Sequence, residues 1–228
     1  MINLHIVEDI VTIDGPTSSG KNSVGFLLAK KLGYQYIDTG MIYRIGCLNI
    51  LRNKIFLNEK EKILEIFRNL NVEFKTEDGI WKVYSEGEDL TDILHTPEIS
   101  KLVSKVAATA EVREIMRNIQ HKIGESGKIV MGGRDIGSEI YPKAKYKFFL
   151  TATPEVRAQR RFKQLVMKDP EIKYEDVLSD MQSRDNQDMT REASPLRTPQ
   201  GGVTIDNSNF SIEQTVDEML KVISTKNA

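Results

Sequence analysis

The stretch Ile10-Val-Thr-Ile-Asp-Gly15-Pro-Thr-Ser-Ser-Gly20-Lys21-Asn22-Ser23 constrains the fold more than any other part of the sequence. A β-branched run breaks into a glycine-bounded loop, and Val24, Leu27, Leu28 and Leu32 then recur at helical spacing. The chain therefore passes from a strand through a tight loop into a helix. In a G-x-x-x-x-G-K frame the loop backbone curls until successive N–H groups point at one place, where the positive end of the next helix also points. A phosphate chain suits that cradle, with Gly15, Pro16, Thr17, Ser18, Ser19, Gly20, Asn22 and Ser23 around it and Lys21 on its outer phosphates. A glycine turn with a solvated lysine is the competing reading. It lacks a reason for the strand before and the apolar helix after.

With 228 residues, 39% of them hydrophobic, the chain can bury one substantial core with an insertion, not two independent enzymes. Its 32 basic and 33 acidic residues balance, so no global field recruits nucleic acid or a membrane surface. The single cysteine, Cys47, excludes an internal disulfide, and His5, His95 and His121 are scattered, so no Cys/His metal set is expected. The acids Glu8 and Asp9 near the start, and the lack of any 18-residue apolar run, argue against a secretion signal or a membrane span. The expected home is the reducing cytoplasm.

A short strand at Tyr34 to Asp38 leads into an apolar helix opened by Thr39-Gly40 and carried by Ile42, Ile45, Leu48 and Leu51. From about Lys54 to Asn69 the pattern is helical and highly charged. Alternation then takes over in Val72-Glu-Phe-Lys, Trp81-Lys-Val-Tyr and Glu88-Asp-Leu, with turns at Glu77-Asp-Gly79 and Glu86-Gly87, which predicts a small inserted antiparallel sheet. Thr96-Pro97 reads as a helix start. Strands follow at Lys128 to Met131 and Lys145 to Leu150. A helical pair spans about Pro154 to Lys168 and Tyr174 to Thr190, and last come the strand Val203 to Asp206 and a helix with the capping box Ser211-x-x-Gln214. Alternating strands and helices imply an α/β fold whose mainly parallel sheet is covered on both faces.

Three further clusters bear on chemistry. In Asp38-Thr39-Gly40-Met-Ile-Tyr43-Arg44 a tyrosine and an arginine fall on the first turn of a helix after a framework strand, where open α/β sheets bind ligands. A capped helix with a surface arginine reads equally well. Gly132-Gly133-Arg134-Asp135-Ile136-Gly137 follows an apolar strand, and its glycines permit close backbone approach, although a turn with a local ion pair would look the same. Arg157, Arg160, Arg161, Lys163 and Lys168 form a local basic patch able to screen a triphosphate. Arg184, Asp188 and Arg191, at i, i+4 and i+7, share one helix face, which could also be merely solvated.

Taken together, these motifs resemble the bacterial cytidylate kinase family of P-loop nucleoside monophosphate kinases. The likeness covers nearly the whole chain: the Gly15 to Ser23 loop, Asp38-Thr-Gly-x-x-Tyr-Arg44, the inserted three-stranded sheet, a helix Ser104-x-Val-Ala-Ala-x-x-x-Val-Arg113, Gly133-Arg-Asp-x-Gly137, the arginine-rich lid start, and Arg184-Asp-x-x-Asp188-x-x-Arg191 with Pro195-Leu196. The resemblance implies a P-loop kinase core with an inserted monophosphate-binding subdomain at about 54–127 and a helical lid at about 157–173. It implies ATP as donor, CMP or dCMP as acceptor, Mg²⁺ as cofactor and a monomer. By the same resemblance Thr39, Tyr43, Arg44, Ser104, Arg113, Arg134, Asp135, Arg184, Asp188 and Arg191 belong to the CMP site. The loop and Arg157 belong to ATP, and Lys21, Arg134, Arg160, Arg161 and Arg191 to catalysis.

Residue chemistry agrees with that assignment. Phosphoryl transfer requires two mutually repelling anions to be aligned and neutralised, which lysine and arginine do. Cytosine offers an amino donor with two ring acceptors, so Asp135 can accept from it while Arg113 and Ser104 donate; uracil would set an acceptor against the carboxylate.

Two departures from the family pattern concern the cation. Asn22 stands where the family usually has glycine, and Gly132 where it usually has aspartate. Loss of that acid is expected to raise the Mg²⁺ requirement, with Asp14 or Asp38 supplying part of its role. The other expectation is that Gly132 and Gly133 adopt backbone angles closed to other residues.

Other classes fit less well. A nucleotide switch would carry Asn-Lys-x-Asp, which is absent, and a motor would end its apolar strand in an acid where this chain has glycines. An adenylate or uridylate kinase would not need the inserted sheet with Ser104, Arg113 and Asp135. A catalytically dead nucleotide-binding module is separated from these only by an assay.

Overall fold

A computed structural model describes residues 9–167 and 169–226. His5, Glu8 and Lys168 of the sequence reading lie outside them. The framework is a five-stranded parallel sheet in the order β2-β6-β1-β7-β8, built from β1 (Ile10–Asp14), β2 (Gln35–Asp38), β6 (Ile129–Gly133), β7 (Tyr146–Thr151) and β8 (Val203–Asp206). Between β2 and β6 the chain forms a separate antiparallel sheet of β3 (Glu73–Glu77), β4 (Ile80–Ser85) and β5 (Glu88–Asp89). The helices are α1 (Lys21–Leu32), α2 (Thr39–Arg52), α3 (Lys60–Arg68), α4 (Pro97–Val106), α5 (Ala110–Gly124), α6 (Pro154–Leu165), α7 (Tyr174–Thr190) and α8 (Ile212–Thr225).

Successive strand residues point to opposite faces, and the core divides accordingly. Val11, Ile13, Tyr36, Val130 and Phe148 pack with α1 and α8, whereas Ile10, Ile37, Ile129 and Met131 pack with α2, α3, α4 and α5. The inserted sheet is pinned to the framework edge: Gln35 Nε2 donates to Phe74 O at 2.6 Å, and Trp81 Nε1 donates to Tyr36 O at 3.0 Å.

Caps and the strand-loop-helix order follow the sequence reading. Thr96 accepts from Ile99 N at the start of α4, and both bonds of the Ser211–Gln214 capping box are present. Several boundaries differ. The charged helix is confined to α3, because α2 closes at Asn53, Lys54 takes a positive φ of 52° and Glu59 Oε2 accepts from Phe56 N. The stretch Ser104 to Arg113 is not one helix. Short-range bonds from Ala108 N to Lys105 O and Thr109 N to Val106 O close α4, and α5 starts afresh. The strand drawn as Lys128 to Met131 runs instead to Gly133, because Lys128 (φ 52°) turns the chain and both glycines pair with β1. A π-helical turn at Ile136–Ile140 had no counterpart in the sequence reading.

Candidate active site

The loop between β1 and α1 closes on itself. A side chain at Gly15 would meet Leu150 O at 2.0 Å, and Gly20 caps α1 with a left-handed φ of 92°, so both positions require glycine. Lys21 is buried and its Nζ donates to Gly15 O (2.8 Å), Pro16 O (2.7 Å) and Ser19 Oγ (3.1 Å). Burial pulls its pKa well below the usual lysine value, and the Arg134 charge pulls the same way; Asp38, Asp14 and Asp185 oppose them. An ammonium held by neutral oxygens can exchange them for charged phosphate oxygens, which bind it more strongly.

The loop is held from outside as well. Thr17 N–H donates to Asp185 Oδ1 at 2.9 Å, and Arg157 donates to Asp185 Oδ2, to Thr17 O (3.1 Å) and to Ala152 O (3.0 Å). Arg160 donates to the side chain and carbonyl of Asn207, both at 2.9 Å, and Asn207 Nδ2 donates to Ser19 O at 3.0 Å. Two of the three expected lid arginines are thus committed to protein acceptors around the loop. Only Arg161 keeps a guanidinium whose one described partner is Gln164, at 3.3 Å. Beneath the loop, the Asp14 carboxylate accepts from Ile136 N and Gly137 N, both at 2.7 Å, and complete burial raises its pKa to about 7 against those two donors.

The acceptor candidates converge. Arg134, from the segment after β6, donates to Asp188 Oδ2 at 2.8 Å and to Thr17 Oγ1 at 3.1 Å. Burial works against its charge, but Asp188 outweighs that and raises the pKa, while Arg134 and Arg191 hold Asp188 low against its own desolvation. Arg113 and Asp135 form a buried ion pair, and Arg191 Nη2 lies 3.9 Å from Asp135. Arg113 Nε and Arg191 Nη2 are buried without a hydrogen-bond partner among the described residues. Tyr43 sits among Arg113, Asp135 and Arg191, its pKa lifted to about 12 mainly by burial. Arg184 makes no hydrogen bond or ion pair with another described residue, and burial followed by repulsion from Arg134 and Arg44 lowers its pKa to about 10.

Three candidates bond to protein groups outside the Arg113–Asp135 and Arg134–Asp188 pairs. Arg44 Nη1 donates to Leu94 O (2.9 Å) and Ser100 Oγ (3.0 Å), so a serine one turn before Ser104 orients it. Ser104 itself bonds back to Ser100 O at 3.5 Å, not to Arg113 or Asp135. Thr39 Oγ1 donates to Gly132 O at 2.9 Å and ties α2 to β6. Asp14, Ser100, Asp185 and Asn207 were not among the predicted site residues. Two of them had a signal: Asp185 stands beside Arg184, and Asp14 was expected to help organise the cation, whereas its two oxygens here accept from Ile136 N and Gly137 N.

Gly132 has no left-handed φ, so the backbone explanation for it fails. Its side-chain space is filled from β2: a Cβ there would lie 2.7 Å from the Tyr36 hydroxyl. That hydroxyl donates to Asn22 Oδ1 at 3.1 Å, and Asn22 Nδ2 donates to Asp38 Oδ2 at 2.6 Å. Among the described residues no group of three or more His, Cys, Asp or Glu side chains could hold a metal by itself. Such sparse oxygen donors, Asp38 and the exposed Ser23 beside the loop, fit a cation that keeps its waters and arrives on phosphates.

Sheet order, loop and convergent arginines together define a P-loop kinase. A solved shikimate kinase from Bacteroides thetaiotaomicron shares the fold, with a TM-score of 0.50 at 15% identity over 94% of this chain and 98% of that one. The family model described as cytidylate kinase matches residues 11–225, and the chain belongs to that family. It is 42% identical over 223 residues to the cytidylate kinase of Caldanaerobacter subterraneus subsp. tengcongensis (98% of this chain, 96% of the relative). It is 38% identical over 216 residues to that of Bacillus subtilis strain 168 (95% and 96%). Among the described residues no helix is long and apolar enough to cross a membrane.

Proposed function

We propose that this chain transfers the γ-phosphoryl group of ATP to CMP and, through the same site, to dCMP. ATP-dependent phosphorylation of CMP is the reaction of the family to which it belongs. In this reading Lys21 trades Gly15 O, Pro16 O and Ser19 Oγ for the outer phosphate oxygens of ATP, and the loop amides hold the rest of the chain. Arg44, Arg134, Arg184 and Arg191 clamp the acceptor phosphate, and Arg161 closes from the lid over the transferred group. Arg157 and Arg160 act by fixing the loop. The attacking phosphate oxygen is already anionic, so no general base is required.

Ser23 and Asp38 would hold Mg²⁺ or its waters beside the loop; when bound, the ion neutralises charge on the β- and γ-phosphates. Asp135, fixed by Arg113, accepts from the cytosine amino group, with Tyr43 and Thr39 lining the same site. Residues of about 54–127 serve as the monophosphate-binding subdomain and about 157–173 as the lid. The enzyme works as a cytoplasmic monomer on ATP and CMP or dCMP, and its balanced charge supports the reading that neither nucleic acid nor a membrane is a partner.

The observation that carries the acceptor site is its surplus of cation around Asp135 and Asp188: one buried nitrogen each of Arg113 and Arg191 lacks a hydrogen-bond partner among the described residues, and half-buried Arg184 donates to none of them. Buried donors are ordinarily satisfied, and a phosphate with its base would satisfy these. A coupled ADP-release assay with ATP, Mg²⁺ and each of CMP, dCMP, UMP and AMP tests the reading. CMP and dCMP are expected to exceed AMP and UMP by at least about tenfold, since a mispaired buried polar group can cost far more. Equal or better turnover of AMP refutes it.

A further inference from the structure

Helix α7 presents more than one functional face. Arg184 and Asp188 share one, with Arg191 just beyond it as the extended C-cap rather than on the helix as its spacing predicts. Asp185, about 100° round from Arg184, is turned to the donor loop, where its Oδ1 accepts from Thr17 N–H at 2.9 Å. Its other oxygen is held by Arg157, which also reaches Thr17 O at 3.1 Å and is itself fixed on Ala152 O at 3.0 Å. The Thr17 hydroxyl accepts from Arg134, whose Nε donates to Asp188 Oδ2 at 2.8 Å. Thr17 at the loop tip thus has three polar contacts, and each leads to α7, directly or through one arginine. Asp185 is 5% exposed and Arg157 6%, so water does not compete for these bonds.

We propose that Asp185 is a positioning residue that ties the tip of the phosphate loop to the acceptor helix, so that acceptor occupancy on α7 sets the donor affinity of the loop. The proposal rests on the reading above that Arg184, Asp188 and Arg191 hold the monophosphate. Asp185 lies within a turn of Arg184 and Asp188 on one helix whose C-cap is Arg191, so a shift of α7 toward an acceptor phosphate displaces Thr17 with it. No other described hydrogen bond holds Thr17 in place. The Thr17 amide is spent on a carboxylate, and the phosphates are served by Lys21 and the amides after it. Coupling of this kind is reciprocal: ATP alters CMP affinity by the same factor.

Isothermal titration of the full chain with a non-hydrolysable ATP analogue, with and without saturating CMP, tests this. In the wild type CMP is expected to change the analogue's Kd about fivefold or more. Asp185→Asn keeps the shape but sets an amide against Arg157 and Thr17 N–H, and is expected to bring the ratio within about twofold of one. Thr17→Val removes only the Arg134 branch, leaves the backbone N–H in place and should lower the ratio as well, so the test stands even where Asp185→Asn fails to fold. A wild-type ratio near one with CMP bound overturns the proposal, as does a variant that binds both ligands and keeps the full ratio. Absence of CMP binding by the wild type overturns the acceptor reading itself, and is seen directly in the CMP titration.

Discussion

Lys21 donates to three oxygens of its own loop, and Arg157 and Arg160 are tied to Asp185 and Asn207, whereas Arg184 donates to no described residue and Arg113 and Arg191 each keep a buried nitrogen unpaired. The proposed donor half is therefore preorganised by bonds within the protein. In the proposed acceptor half Asp135 and Asp188 pair with Arg113, Arg134 and Arg191, and Arg184 is the cation left crowded: burial first, then Arg134 and Arg44, lower its pKa. Removing a donor-side cation should then cost catalysis at fixed geometry. Removing an acceptor-side cation should cost affinity and, at Arg184, relieve repulsion in the free protein.

The largest expected effect is on the donor side. Lys21→Met should lower kcat by on the order of 10² or more, the range for removing one preorganised electrostatic group, because the charge binds the transferring phosphoryl group better than ground-state ATP. Steady-state kinetics checks it. A change confined to KM would mean that Lys21 only binds, and the contrast between the halves would lose its donor arm.

Next come the acceptor arginines. Arg191→Ala and Arg184→Ala should each weaken CMP binding by about 1.5 to 3 kcal/mol, the usual worth of hydrogen bonds to charged groups, with ATP affinity nearly intact in calorimetry. Arg184→Ala should also raise the Tm of the free protein by about one or two degrees, since it removes a half-buried charge that Arg134 and Arg44 repel. A lower Tm would show that Arg184 stabilises the fold despite that repulsion.

The same division explains what the sequence made legible. Motifs whose parts are close in the chain were readable: the Gly15 to Ser23 loop, the Thr96 and Ser211 caps, and the Asp188 and Arg191 pair. Boundaries failed where a local pattern had two solutions, as at Ala107 to Thr109, which helical spacing alone cannot break, and at Gly132 and Gly133, whose composition suggests a turn although sheet pairing keeps them extended. The supports of the loop were hidden because they depend on contacts across 122 residues for Asp14 with Ile136, 168 for Asp185 with Thr17 and 188 for Asn207 with Ser19. Nothing in the residue types announces such a contact.

Asp14 tests the charge state beneath the proposed donor half. Burial raises its pKa from 3.8 to about 7, so between those values the native protein keeps a proton that the unfolded chain has released. Its stabilising contribution is present below about pH 4 and is lost as pH rises through 7. Asparagine cannot ionise. The Tm of Asp14→Asn relative to wild type should therefore climb by on the order of 5 °C between pH 5 and pH 7.5, other groups cancelling in the difference. A pH-independent difference would mean that the Ile136 and Gly137 amides hold Asp14 ionised, making it one more neutralising anion beneath Lys21.

The smallest effect lies where the two halves meet. Gly132 pairs with Ile13 of the donor strand and with Asp38 at the head of α2, and the space its side chain would take holds the Tyr36 hydroxyl. An aspartate at 132 must push that hydroxyl away, breaking its bond to Asn22 and loosening the Asn22–Asp38 contact. The cost falls on a side-chain tip with the backbone in an ordinary extended conformation, so about 1 kcal/mol is expected, the low end for overpacking. Gly132→Asp should thus lower Tm by about 2 to 4 °C, and Tyr36→Phe in the same chain should restore most of it by vacating the contested space. The double variant then isolates the acid: a lower half-saturating Mg²⁺ in it, with Tm restored, would show that the carboxylate helps organise the cation and that the Tyr36–Asn22–Asp38 chain stands in for it here. An unchanged Mg²⁺ titration in a well-folded double variant would show instead that the chain of hydrogen bonds only packs the junction, leaving the donor loop's preorganisation to Asp185, Asn207 and Asp14.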